Sequence, residues 1–223
     1  MCLQEIALVI LFSITALLIF VFLYGVVYKY QIFCITQQWK NKRNIIYRFI
    51  LGRFTHILMY ILLASFLSFS IVVNLLSLRP YELVLVIITI GLSYLFSQIE
   101  IKAIFNNLGS KYAPYVNYIF IYRILLIIVS IIWFAVEYMY FYIEPKKLDD
   151  ILNLQMKCYL LKNLIIFNEL MDYFIFISAV YLKENAILIV KFLYVVFILL
   201  KKISFSSAIV LATLGGVYLW EKR

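Results

Sequence analysis

Residues Ile6 to Tyr28 carry no charge, and the connector behind them, residues 29–56, holds six basic residues and no acidic one. No Asp or Glu occurs between Glu5 and Glu82. An uncharged run of this length is enough to cross the roughly 30 Å hydrocarbon core of a bilayer as a helix. Short Lys/Arg-rich loops stay on the side where translocation begins. The two features together predict an integral membrane protein with the 29–56 connector in the cytoplasm and the N-terminus outside. The N-terminal run lacks a basic leader and is too long for a signal-peptide core, so it is expected to remain as a helix.

Composition points the same way. Apolar residues make up 66% of the 223 residues and charged residues 14%, against about 45–50% and about 25% in soluble domains. A domain of roughly 150–300 residues buries only about 70–75% of its surface on folding, so much of this apolar surface must meet lipid. The fold class is therefore all-α and polytopic, a single membrane domain over residues 1–223. The net charge of +9 follows from the orientation rule, and nucleic acid is not an expected partner. The richness in Ile, Tyr, Phe, Lys and Asn suggests AT-rich coding DNA of the kind bacteria acquire horizontally, and with it a bacterial inner membrane.

Hydropathy divides the chain into spans at about 4–27, 57–78, 83–99, 115–143 and 203–220, with two further apolar stretches at 163–182 and 186–200. Arg79-Pro80 marks a tight exposed turn, because proline excludes helix from the residue before it. Asn106 to Ser110 reads as a second turn. Within 115–143, Arg123 and Glu137 stand 14 residues apart, about four helical turns. That spacing fits a pair reaching opposite headgroup layers between tyrosine belts. Segment 163–182 contains Glu169 and Asp172, and 186–200 is either interfacial or spanning. Placing Lys201 and Lys202 on the connector's side favours six crossings, with 163–182 crossing and 186–200 lying along the inner surface.

Four groups of residues stand out. Ser204, Ala208, Ala212 and Gly216 recur at four-residue spacing, so they form one small-residue stripe for close helix approach, within the chain or between copies. Thr89, Ser93 and Ser97 form a hydroxyl stripe that either bonds between helices or lines an ion path around a symmetry axis. Glu169 and Asp172 are a possible ion or proton site if they lie inside the membrane. Lys40, Lys42, Arg43, Arg48 and Arg53, interleaved with Trp39, Phe49 and Phe54, can dock an anionic inner leaflet or a protein. At about 27 residues the connector is longer than helix connections in compact domains, which leaves room for a docking surface.

Cys2, Cys34 and Cys158 are an odd, scattered set, so neither a disulfide framework nor a metal site is expected. One histidine, His56, leaves no zinc pair and no Cys–His couple close in sequence. Six glycines without a phosphate-loop or G-x-S-x-G pattern leave no catalytic motif. No catalytic residue, metal or cofactor is assigned. These features favour a non-enzymatic, oligomeric membrane subunit that anchors or signals to a soluble cytoplasmic partner. In size and plan, though through no motif, it is similar to small polytopic proteins of anti-phage operons such as the membrane subunit of the Kiwa system. The alternatives are a small oligomeric ion channel and an accessory subunit of a large membrane complex.

Overall fold

The computed structural model describes residues 3–38, 53–76, 78–101, 112–139, 148–152, 158–181 and 187–221. All but a few of them are helical, with no strand among them. In lipid this is forced: without water to bond the backbone, each apolar run must satisfy its own N–H and C=O groups, and the helix does so locally. The first helix, α1 (Leu3–Phe22), passes through a π-helical turn (Leu23–Val27) into α2 (Tyr28–Gln38). Then come α3 (Arg53–Leu76), α4 (Pro80–Ser97), α5 (Ala113–Met139), the short α6 (Leu148–Leu152), α7 (Tyr159–Tyr181) and α8 (Ile187–Glu221).

Among the described residues, five helical stretches are long and apolar enough to cross a membrane: Leu3–Cys34, Phe54–Leu76, Pro80–Ser97, Ala113–Val136 and Leu200–Glu221. The chain is thus a polytopic helical membrane protein. Leu200–Glu221 is its central post, with 61% of its apolar window buried against 17–39% in the other four. It packs against α1, α3, α4 and α5. The core around it contains the fully enclosed Phe22, Trp133, Phe205, Leu125, Val129 and Leu214. The opposite faces carry Met59, Leu62, Phe66, Ile87, Leu95, Ile127 and Ile131, all exposed. That inside-out surplus of large apolar side chains is what a lipid-facing surface requires.

The bundle has two ends. At the connector end lie α2, the start of α3, the end of α4, the start of α5 and the end of α8. Asn117 joins α4 to α5 there, donating to the Ile99 carbonyl at 2.9 Å and accepting from the Ile101 N–H at 3.1 Å. At the other end, the turn end, Arg79 is extended (φ −80°, ψ 157°) before Pro80, which opens α4. Proline's fixed φ suits the first helical position and disfavours helix in the residue before it. Glu82, three residues after Arg79, accepts the Arg79 N–H at 2.8 Å and closes the cap.

The C-terminal third differs from the topology expected of it. Residues 187–221 form one continuous helix, so the apolar stretch 186–200 and the span 203–220 belong to a single rod of about 52 Å. Cys158, at the entrance to α7, lies beside Gln4 at the turn end. Lys202 contacts Glu82 at that same end. The stretch from 158 to 202 therefore leaves and returns to one end, whereas a sixth crossing would bring Lys201 and Lys202 to the connector end. The physical reason is that Lys202 is held by a carboxylate inside the bundle. The charge rule concerns basic groups in short loops, and Lys202 is not one of them.

Candidate functional site

A cluster of buried polar groups sits under the turn end. Lys202 projects from α8 onto Glu82 in the first turn of α4, and the two form an ion pair with side chains 12% and 4% exposed. The Glu82 carboxylate uses its other oxygen for the Arg79 cap. An acid in the first helical turn is also favoured by the helix dipole. Lys202 Nζ lies 5.3 Å from the centroid of Trp133, so the ring's negative face supports the ammonium from α5. Trp133 packs edge-on against Phe205 at 5.6 Å and directs its indole N–H to Thr89 Oγ at 3.5 Å. One cluster thus binds α4, α5 and α8. Its charges compensate each other, which suits it to holding helices together.

The hydroxyl stripe of α4 is buried at all three positions. Thr89 donates to the Leu85 carbonyl at 2.8 Å and Ser93 to the Thr89 carbonyl at 2.7 Å, with Ser97 bonded to the Tyr94 carbonyl. These bonds lie within α4. The small-residue stripe also packs inside the chain: Ala208 and Ala212 are buried, and Ser204 meets Ser70 of α3 at 3.5 Å. The closest approach, however, is at Gly215, whose missing side chain would sit on the Leu18 carbonyl of α1. Gly216 is roomier, with Leu18 Cδ2 4.0 Å from where its Cβ would be. Glu169 is half-buried in α7 and partnered. The Asp172 side chain lies outside the described residues.

At the connector end the geometry is that of a clamp. Lys29 donates to Tyr115 Oη at 3.0 Å and also sits over that ring, 4.9 Å from its centroid. Tyr60 donates to Gln31 at 2.7 Å, and Phe33 packs on Tyr112 at 4.9 Å. His56 packs against Tyr28 at 4.9 Å and Tyr60 at 5.7 Å between ring centres. Tyr118 donates to Glu221, and Tyr218 donates to the Gly25 carbonyl in the π turn at 3.2 Å. Lys40, Lys42, Arg43 and Arg48 lie outside the described residues; Arg53 opens α3, its side chain likewise outside them.

Sequence reasoning missed Glu82, Lys202 and Trp133 as a cluster. A signal existed: Glu82 stands three residues after the extended Arg79, a capping position. Adjacent lysines on a helix also point about 100° apart, so Lys201 and Lys202 cannot both face one surface. The cysteine expectation also needs correction. Cys34 is free, but Cys158 is disulfide-bonded. Spacing rules find local pairs and are blind to a contact between chain segments this remote.

No protein-family model matches the chain, and no curated protein or solved structure is significantly similar to it.

Proposed function

We propose that the chain is a non-enzymatic membrane subunit that presents the basic connector 29–56 to a soluble cytoplasmic partner. The observation that carries this reading is the pinning of both roots of the connector. The exit through α2 is held by Lys29–Tyr115, Gln31–Tyr60 and Phe33–Tyr112. The re-entry into α3 is held by His56 between Tyr28 and Tyr60. A loop that served only to orient the chain would need no such clamp, whereas a docking loop gains precision from a rigid base. A bundle interior filled by Trp133, Phe205 and Phe22 supports a scaffold over a conduit. The small-residue stripe is engaged within the chain, so self-association is not required by this reading.

The test is extraction from the native membrane in mild detergent, with the particle mass measured and every co-purifying polypeptide identified. A stoichiometric soluble protein is expected. It should be released by Lys40→Glu, Lys42→Glu and Arg43→Glu together, with the helices still folded. Should the reversed charges block insertion, neutral Gln at the same positions keeps enough of the basic bias to repeat the assay. A homo-oligomer with no other protein, conducting ions in liposomes and silenced by Ser93→Leu, would replace the proposal with the channel reading.

A further inference from the structure

On α5 the exposed residues Phe120, Arg123, Ile127, Ile131 and Phe134 recur at three- and four-residue spacing and so share one face. That face is turned to lipid, and Arg123 puts a charge in it. Beside α5 runs α2, in the opposite direction: Phe33 packs on Tyr112, Lys29 bonds Tyr115, and Phe22, ahead of the π turn, meets Tyr122. The charge of Arg123 acts on the Tyr30 phenol, which places the guanidinium at the seam with α2. Among the described residues, neither Arg123 nor Lys29 forms an ion pair, and no hydrogen bond engages the guanidinium. Lys29 uses one of its ammonium donors on Tyr115 and has others to offer. Glu137, 14 residues further along α5, is about 21 Å away.

We propose that the seam between α2 and α5 binds the phosphate of an anionic phospholipid from the leaflet at the connector end. Arg123 offers a planar fork of donors that matches two phosphate oxygens. Lys29 adds a second positive charge, one position before Tyr30. Side chains tilt toward the N-terminus of their helix, and α5 begins at the connector end. Arg123 therefore leans toward the headgroup layer of that side. Ile127, Ile131 and Phe134 continue the stripe toward the bilayer centre, where acyl chains lie, so the stripe follows the lipid from head to tail. A guanidinium facing hydrocarbon without a counter-charge is costly, and a phosphate drawn to it relieves that cost. Two cations with no carboxylate between them favour a headgroup of net negative charge, because Lys29 would repel the ammonium of a zwitterionic lipid. None of this depends on whether the connector binds a partner.

The test returns phosphatidylglycerol or phosphatidylcholine, with identical acyl chains, to full-length protein purified in detergent. Native mass spectrometry should show phosphatidylglycerol retained under activation that strips phosphatidylcholine. The unfolding midpoint should rise only with the anionic lipid. Arg123→Gln should weaken retention roughly fivefold and remove most of the rise, while keeping the midpoint in phosphatidylcholine. Lys162→Gln removes a charge from α7 and should change neither reading. A second arm uses the wild type alone, so that no variant has to fold. Phosphatidylglycerol carrying a diazirine in its acyl chain should label the stripe from Ile127 to Phe134 more heavily than the matched phosphatidylcholine probe. Equal retention of the two lipids, retention untouched by Arg123→Gln, or equal labelling by the two probes would overturn the site. Equal stabilisation by inorganic phosphate would make the ligand a free anion and overturn the lipid. A photoreactive residue at Phe120 that captures another polypeptide in native membranes, and no lipid, would give the seam to a protein instead.

Discussion

Lys202 and Glu82, 120 positions apart in the chain, form an ion pair whose two side chains are almost entirely shut off from the surroundings. Each charge is offset by the other, with the Trp133 ring beside the ammonium and the Arg79 N–H on the carboxylate. Glu82→Ala would leave an ammonium enclosed between α4, α5 and α8, and would also open the cap on Arg79. Breaking a buried pair on one side typically costs about 3–5 kcal/mol. The expected result is a large fall in thermal midpoint for Glu82→Ala and for Lys202→Ala in nanodiscs. Glu82→Gln with Lys202→Met should lose much less than either alanine variant, because it leaves no charge stranded. Equal losses in all three variants would mean that the pair is solvated and unimportant.

The glycines supply a graded test of the α1–α8 contact. Gly215→Ala drives a methyl group into the Leu18 carbonyl, a backbone atom that cannot swing aside. The helices must separate, and overpacking of this kind typically costs about 1–3 kcal/mol. Gly216→Ala places its methyl at ordinary contact distance, and Gly91→Ala meets nothing within 4 Å on the exposed face of α4. Only Gly215→Ala is expected to lower the unfolding midpoint clearly; Gly91→Ala should hold it or raise it slightly, since alanine is the better helix former by up to about 1 kcal/mol. A midpoint unchanged by Gly215→Ala would show that the two helices are not in backbone contact.

Thr89 and Ser93 are expected to be nearly silent. Their hydroxyls bond carbonyls of their own helix, and the one bond received across helices, from Trp133, is 3.5 Å long. Interhelical bonds in membranes average about 0.6 kcal/mol, so Thr89→Val and Ser93→Ala should each shift stability by less than about 1 kcal/mol. Thr89→Val should also alter the Trp133 emission, because the indole loses its acceptor. A larger destabilisation by Ser93→Ala, or a change of ion flux in liposomes, would assign this stripe a duty that its hydrogen bonds do not.

The helical membrane class was legible because it follows from charge-free length alone. Leu3–Cys34, Phe54–Leu76 and Pro80–Ser97 are each announced by an uncharged run, although the first helix continues through Lys29 to Gln38. The spacing singled out Ser204, Ala208, Ala212 and Gly216, whereas the glycine that meets the α1 backbone is Gly215, one position before Gly216 and outside that stripe. Periodicity reports which residues share a stripe and is silent on which of them touches backbone. The end at which Lys202 lies was not legible. A lysine counted toward loop charge and a lysine paired in the interior look alike in one dimension, and only the fold brings Glu82 within reach. The same holds for Cys158, whose contact with the start of α1 spans most of the chain.

The π turn supplies the last test. Leu23–Val27 widens the first helix, and Tyr218 lies against Gly25 there, its hydroxyl donating to the Gly25 carbonyl. A methyl group at Gly25 would collide with the Tyr218 ring. Two separable effects follow. Tyr218→Phe removes the hydrogen bond and keeps the ring, for an expected cost of about 1 kcal/mol. Gly25→Ala keeps the hydroxyl and displaces the ring, which also disturbs its edge-on contact with Tyr118. If the pair sets the distance between α1 and α8, combining Gly25→Ala with the smaller, more pliable Tyr218→Leu should cost less than the two single changes added together. Contacting residues couple in this way by about 0.5–3 kcal/mol. The four midpoints, measured in nanodiscs, form a double-mutant cycle. Strict additivity would mean that Gly25 is small for some reason other than Tyr218.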